Sequence, residues 1–119
     1  MHGSDGLDEL TTTGPSFVAQ LKDGAVTTFE VSPSDAGIAT ASSDDLKGGT
    51  PEENATALKA VLAGDAGPYR DIVIYNAGAA LLVAGKADDL KSGAEMAAAA
   101  IDDGRATAAL DKLVAITNE

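Results

Sequence analysis

The sequence predicts an α+β fold in which a β-hairpin and short sheet are followed by four helices. Two periodicities carry this prediction. Before residue 32, apolar and polar residues alternate with a period of two, which is typical of half-buried strands. After residue 50, apolar residues recur every three to four positions, which is typical of amphipathic helices. The 119 residues suffice for one domain with a modest core, and we expect no second domain.

The strand prediction covers two stretches. Phe17–Val31 is predicted to be a β-hairpin, because Asp23-Gly24 supplies the positive φ angles that a tight hairpin turn requires. Thr11–Thr13 is predicted to be a strand as well, since β-branched residues favour sheets. The following segment, Ser32–Gly49, contains proline and several glycines and is predicted to be a loop.

The first two helices differ in how clearly the sequence marks them. Thr50 begins one helix, because Thr50-Pro51-Glu52-Glu53 forms a capping box with proline at the first helical position, and Gly64 ends it. The segment Asp71–Ala84 fits either a buried strand or a buried helix by its pattern. Its length and its alanines favour the helix.

The last two helices are predicted from periodic apolar residues. One spans Asp88–Asp103, with Asp88 as its cap, and Gly104 breaks it. The other spans Arg105–Thr117. Its inward-facing residues are predicted to be Leu110, Leu113, Val114 and Ile116.

Composition excludes several classes of function. The formal net charge of −11 opposes binding to a nucleic-acid backbone. There is no cysteine, so disulfides and thiolate metal sites are excluded. The longest apolar run, Ala77–Ala84, is too short to cross a bilayer, so we expect no membrane partner. No apolar leader follows Met1, and a cytoplasmic location is expected.

Asp8 and Glu9 are the candidate metal ligands. Neighbouring side chains on an extended backbone point to opposite sides, so these two share one site only where the chain bends, as Gly6 permits. Mg²⁺ suits such a pair, since it often takes one or two protein carboxylates and leaves substrate phosphates to complete its shell. The spacing alone favours a solvated turn over a metal site.

Other polar residues are interpreted as structural. Asp5 precedes a glycine and is predicted to accept turn hydrogen bonds rather than to bind a metal. His2 lies at the start of the chain, where we expect fraying. Tyr75 and Asn76 interrupt an apolar segment and are interpreted as buried hydrogen-bond partners.

Several motifs together resemble the anthranilate phosphoribosyltransferase family, enzymes of tryptophan biosynthesis. The first is HGSDGLDE, residues 2–9, followed by threonines. The others are TGP with VAQLKDG, DLKGG with ENA, and DIVIYNAGAALLVAG. The resemblance covers essentially all 119 residues and corresponds to about the last third of a family member.

This resemblance implies a fold and a role. The fold would be the C-terminal part of the α/β domain of the nucleoside phosphorylase/phosphoribosyltransferase type, with a helix from near Pro68 to Gly85. Asp8 and Glu9 match the acids that, in the family, coordinate the magnesium bound to phosphoribosyl pyrophosphate. The family's phosphate loop and anthranilate-binding residues would lie upstream of Met1, so no catalytic or substrate-binding residue is assigned within this chain.

Two functions remain open from the sequence. The first is a fragment of a transferase that acts on phosphoribosyl pyrophosphate and anthranilate only in the context of the longer enzyme. The second is a noncatalytic binding or assembly module. A nucleic-acid-binding relative is opposed by the charge. We also expect either a loosely packed monomer or a homodimer, with an unpaired strand edge beside Thr11–Thr13 and an apolar face on Ile72–Val83.

Overall fold

All 119 residues are described by a computed structural model, which has a three-stranded antiparallel sheet followed by four α-helices. This confirms the predicted α+β class. The strands, in their order across the sheet, are β1 (His2–Gly3), β2 (Ser16–Lys22) and β3 (Ala25–Val31). The helices are α1 (Pro51–Leu62), α2 (Pro68–Val83), α3 (Leu90–Asp102) and α4 (Arg105–Thr117). Two short 3-10 turns, Pro33–Ala36 and Ser43–Leu46, lie in the loop between β3 and α1.

The hairpin forms where its turn residues predicted it. β2 and β3 pair from Ser16↔Val31 to Lys22↔Ala25 without interruption. Asp23 and Gly24 connect the strands with φ angles of 51° and 79°, the left-handed values that such a two-residue turn needs.

The strand predicted at Thr11–Thr13 is wrong, and so is the expected fraying of His2. The third strand of the sheet is β1, which pairs His2 with Phe17, and the two rings lie 5.2 Å apart. The threonines instead bend, because their polar groups bond to nearby side chains rather than to a neighbouring strand. Such local hydrogen bonds compete with secondary structure and here override β-propensity.

The core lies where α2 packs on α3 and on the loops beside the sheet. Backbone approaches are very close at the α2–α3 contact: a Cβ added to Gly78 would lie 2.6 Å from the backbone nitrogen of Ala94. α2 begins at Pro68, as the resemblance implied. The buried apolar cluster comprises Leu10, Val31, Ala36, Ile38, Tyr75, Ala79 and Ala94.

Two details of the helix predictions need correction. The cap of α3 is Asp89 and not Asp88, because Asp89 stands three residues before Ser92 and its Oδ1 accepts a hydrogen bond from Ser92 N at 2.7 Å. The apolar face of α4 is not turned inward: Leu113, Val114 and Ile116 are 58%, 51% and 56% exposed. α4 packs mainly on α3, and Thr107 Oγ1 also donates to Leu62 O of α1, but these contacts leave its apolar face in solvent.

The chain exposes more surface than its size requires. Its accessible surface is 7459 Å², roughly 1,500 Å² more than the value of about 5,900 Å² expected for a folded monomer of this mass. Leu21 and Val26 on the hairpin and Val83 on α2 contribute to it. The unpaired strand edges lie along β3 and along residues 18–22 of β2, beyond the two residues that β1 pairs, and not beside Thr11–Thr13. None of the helices has both the length and the apolar character that a membrane crossing needs.

Candidate functional site

The acid pair lies on a tight bend between β1 and β2. Gly6 has a φ of 94°, a left-handed value, so the chain does bend where the sequence permits it. The backbone N–H of Gly3 donates to the carbonyl of Leu7 at 2.8 Å, so the bend closes on itself just before the acids. Asp8 is exposed and Glu9 is half-buried.

Asp5 braces this bend with its carboxylate. Its Oδ1 accepts from Leu7 N at 3.1 Å, and its Oδ2 accepts from the hydroxyls of Thr11 and Thr13 at 2.6 and 2.7 Å. Desolvation alone would raise the pKa of Asp5, but these hydrogen bonds outweigh it and hold that pKa below its ordinary value. The prediction that Asp5 accepts turn hydrogen bonds is confirmed.

A second anchor reaches the loop from α2. The side-chain amide of Asn76 pairs with both backbone groups of Leu10: Leu10 N donates to Asn76 Oδ1, and Asn76 Nδ2 donates to Leu10 O, each at 2.9 Å. Asn76 Nδ2 also donates to Ile72 O at 3.0 Å. The interpretation of Asn76 as a hydrogen-bond partner is confirmed.

The same interpretation is wrong for Tyr75. Its side chain is fully buried, yet its hydroxyl has no hydrogen-bond partner. Burial, with a smaller contribution from the charge of Asp35, raises the pKa of Tyr75 to about 12. The buried hydroxyl of Thr12 is likewise without a partner.

The electrostatics of the acid pair differ from those of Asp5. Neither Asp8 nor Glu9 takes part in a hydrogen bond or an ion pair. Burial, and then the charges of Asp8 and Asp5, raise the pKa of Glu9 above its ordinary value. The carboxylates therefore face an excess of negative charge that no basic side chain balances.

Asp8 and Glu9 are the residues of this bend that could hold a hard divalent cation. Asp8 and Glu9 offer carboxylate oxygens with no competing partner, which suits Mg²⁺. No group of three or more His, Cys, Asp or Glu side chains is placed to enclose a metal. The chain thus supplies at most two ligands, and water or phosphate oxygens would complete the coordination shell.

Sequence reasoning missed how the acids are held. Asn76 was recognised as a polar residue, but its partner Leu10 lies 66 residues away and no local pattern connects the two. Ser16, whose Oγ accepts from Thr11 N at 2.9 Å, was also missed. It is fully buried, and a serine at a strand start carries no signal of that role.

Comparisons with known proteins agree on one family. Residues 1–107 match the family model described as "Glycosyl transferase family, a/b domain". The anthranilate phosphoribosyltransferase of Parvibaculum lavamentivorans is 62% identical over 118 residues, which are 99% of this chain and 35% of that protein. The corresponding protein of Methylocella silvestris is 60% identical over 99% of this chain and 34% of its own length. The chain spans about a third of the length of these relatives.

Solved structures show the same likeness. Anthranilate phosphoribosyltransferase from Thermus thermophilus superposes with a TM-score of 0.87 at 35% identity, covering 99% of this chain and 35% of that one. A variant of the Saccharomyces cerevisiae enzyme, solved with Mg bound, superposes with a TM-score of 0.80 at 30% identity. That match covers 92% of this chain and 32% of the yeast chain.

Proposed function

Because the chain belongs to the glycosyl transferase family that the a/b-domain model describes, we propose that it supplies the magnesium-binding part of an anthranilate phosphoribosyltransferase. In that reaction the amine of anthranilate displaces pyrophosphate from the ribose carbon of phosphoribosyl pyrophosphate. When bound, Mg²⁺ neutralises charge on the leaving pyrophosphate. The Mg-bound yeast relative supports this choice of metal.

The observation that carries the proposal is the pair Asp8 and Glu9, held on an ordered bend and bonded to nothing else. Bonds at Leu7 and Leu10 fix the backbone on both sides of the pair. Asp8 and Glu9 would hold the metal through their carboxylate oxygens, and the donor's phosphates would complete its coordination shell. Asp5 keeps its role as a brace, because its oxygens are already occupied.

Turnover requires more polypeptide than this chain contains. Binding of a pyrophosphate donor needs cationic groups and a backbone cradle, and this chain has 8 Lys and Arg against 19 acids. We propose that both substrates bind largely to regions equivalent to the other two-thirds of the relatives. The large exposed surface, including Leu21 and Val26, supports docking onto such regions.

A chimera tests this function. The matched third of the Parvibaculum relative is replaced by this chain, and formation of phosphoribosyl-anthranilate is followed with and without Mg²⁺. We expect Mg²⁺-dependent activity from the chimera and none from the 119-residue chain alone. Turnover by the purified chain, or a folded chimera that stays inactive, would contradict the proposal.

A noncatalytic assembly module is the second candidate. The exposed apolar residues of the hairpin favour it, because docking alone would account for them. The two functions separate in the chimera: an assembly module would leave activity unchanged when Asp8 and Glu9 are replaced by Asn and Gln.

A further inference from the structure

We propose that Asn76 is a positioning residue that fixes the Asp8–Glu9 pair against α2. This inference rests on the proposed function for the purpose of the pair, but the positioning itself is measurable in the chain alone. Asn76 uses its whole amide in the contact: Oδ1 accepts one bond at 2.9 Å, and the two hydrogens of Nδ2 go to Leu10 O at 2.9 Å and Ile72 O at 3.0 Å. The amide therefore has one favourable orientation. A flip would place Nδ2 against the donor Leu10 N and Oδ1 against the acceptors Leu10 O and Ile72 O.

The position of Leu10 makes this contact effective. Leu10 directly follows Glu9, and its side chain is 1% exposed within the core cluster. The next residue, Thr11, is held by Ser16 Oγ at 2.9 Å. Two consecutive residues after the pair are thus fixed to the body of the protein.

The residue before the pair is fixed as well. Leu7 accepts from Gly3 N at 2.8 Å and donates to Asp5 Oδ1 at 3.1 Å. Asp8 and Glu9 are the two residues between these fixed points and make no hydrogen bond of their own. The hydrogen bonds that connect the pair to a helix are those of Asn76, since the Leu7 and Thr11 bonds lie within residues 3–16 and the Leu10 side chain adds only apolar packing.

The chain contains a matched control in Asn54. From α1, Asn54 pairs in the same two-point manner with the backbone of Gly49, through Gly49 N to Oδ1 at 2.8 Å and Nδ2 to Gly49 O at 3.1 Å. That contact is exposed, spans five residues, and ties a loop to its own helix. Losing it removes the same kind of bond from a place without the candidate acids.

The experiment compares Asn76→Ala with Asn54→Ala and with Ile101→Val, a core truncation on α3 outside the cluster that contains Leu10. Amide hydrogen exchange at Leu10 and Mn²⁺-induced broadening of the Asp8 and Glu9 amide signals are measured by NMR on the 119-residue chain. For Asn76→Ala we expect faster exchange at Leu10 and Mn²⁺ affinity lowered by about ten- to a hundredfold, the usual effect of losing support around metal ligands. The two control variants should keep both properties.

Wild-type exchange at Leu10 and wild-type Mn²⁺ affinity in a folded Asn76→Ala chain would overturn the proposal. Asn76→Asp serves if the alanine variant does not fold: it keeps the acceptor for Leu10 N but loses both donated bonds, so partial loss of protection at Leu10 is expected and full protection would refute the role. If the wild-type chain shows no Mn²⁺ effect at Asp8 and Glu9, the metal part of the proposed function fails. Exchange at Leu10 then decides the positioning role alone.

Discussion

Two loops of this protein each carry an adjacent acid pair and are each held by an asparagine from a helix, yet their carboxylates have opposite surroundings. In the first loop, between β1 and β2, Asp8 and Glu9 have no hydrogen-bond or ion-pair partner. In the second loop, between β3 and α1, Asp44 forms an ion pair with Lys47 at 2.6 Å, and Asp45 accepts from Ser42 N and Oγ at 2.8 and 2.7 Å.

The pKa shifts follow this difference. Hydrogen bonds from the Ser42 hydroxyl and backbone lower the pKa of Asp45, whereas burial and neighbouring acids raise that of Glu9. An acid pair that its own chain already satisfies has a structural role. An unsatisfied pair on a fixed backbone would gain from a cation, which is why we propose the metal site at Asp8 and Glu9 and not at Asp44 and Asp45.

The asparagines that hold the two loops also differ. Asn76 connects its loop to a helix 66 residues away, while Asn54 acts over five residues. The asparagine of the first loop therefore ties it to the tertiary core, whereas the asparagine of the second loop acts within its own segment. This contrast predicts different responses to substitution.

The largest expected effect concerns catalysis in the chimera. Replacing Asp8 and Glu9 by Asn and Gln should lower turnover by roughly a hundredfold, because metal-ion charge stabilisation is worth several kcal/mol and about 1.4 kcal/mol is a factor of ten in rate. The same double change at Asp44 and Asp45, to Asn at both, should leave turnover within about twofold, since exposed sites tolerate substitution. Steady-state kinetics at saturating Mg²⁺ measure both.

Equal losses from the two double variants would show that the acid pairs are not distinguished by function. Circular dichroism of each variant provides the control for folding. Unchanged activity in the Asp8 and Glu9 variant would refute the metal assignment.

The next effect concerns the helix contact that places Asn76. Gly78→Ala should destabilise the chain by about 1–3 kcal/mol, because a Cβ there meets the backbone of Ala94 at 2.6 Å and neither helix can yield locally. Gly48→Ala, in the second loop, should destabilise the chain less, since its Cβ meets the exposed side-chain amide of Asn54 at 3.1 Å and no backbone atom. Urea unfolding of both variants tests the contrast, which fails if Gly48→Ala is the more damaging change.

Short-range features of this fold were predictable from the sequence. The hairpin turn at Asp23-Gly24 and the cap at Thr50 depend on neighbouring residues alone, and both form as predicted. Thr11–Thr13 was misassigned because Asp5 and Ser16 satisfy its polar groups from outside the window that a strand pattern covers.

The sequence predicted which residues form the candidate site but not which contacts hold them in place. Asp8 and Glu9, and the bend at Gly6, are visible in the sequence. The bond from Asn76 is not, because it depends on how α2 packs across the loop. That the pair lacks partners, unlike Asp44-Asp45, is equally a property of the folded chain.

A smaller effect on stability is expected for the two tyrosines of α2, Tyr75 in the core and Tyr69 beside the second loop. Tyr75→Phe should stabilise the chain by roughly 1 kcal/mol, because it removes a buried hydroxyl that has no partner. Tyr69→Phe should destabilise it by about 0.5 kcal/mol, since the Tyr69 hydroxyl donates to the carbonyl of Lys47 in the second loop. Thermal unfolding at neutral pH measures both changes in stability. Lower stability in Tyr75→Phe would mean that the Tyr75 hydroxyl makes a stabilising interaction.

Tyr75 also predicts a pH dependence. Its pKa rises from 10.0 to about 12 on folding, so the folded state favours the protonated phenol. Ionisation therefore has no effect on stability below pH 10, and it favours the unfolded chain, so stability falls, as the pH rises from 10 to 12. Tyr75→Phe should remove this part of the alkaline loss. An unchanged alkaline unfolding profile in the variant would contradict the buried, neutral phenol.

The smallest effect concerns Asp5, which braces the first loop. Its folded-state pKa lies below the ordinary value of 3.8, so its ionised form stabilises the fold above that pH and the stabilisation is lost as the pH falls through the lower value. The effect on global stability should be slight, because Asp5 is exposed and solvent screens its interactions. The local effect should be clear: in an NMR titration from pH 5 to pH 2, the amide signals of Thr11 and Thr13 should shift together with the Asp5 carboxyl signal. Asp5→Asn should abolish that shared transition, whereas Asp45→Asn should leave it intact because Asp45 bonds to Ser42 in the other loop. A transition of Thr11 and Thr13 that survives Asp5→Asn would mean that their hydroxyls are held by another group, and that the two loops are less separate than their hydrogen bonds indicate.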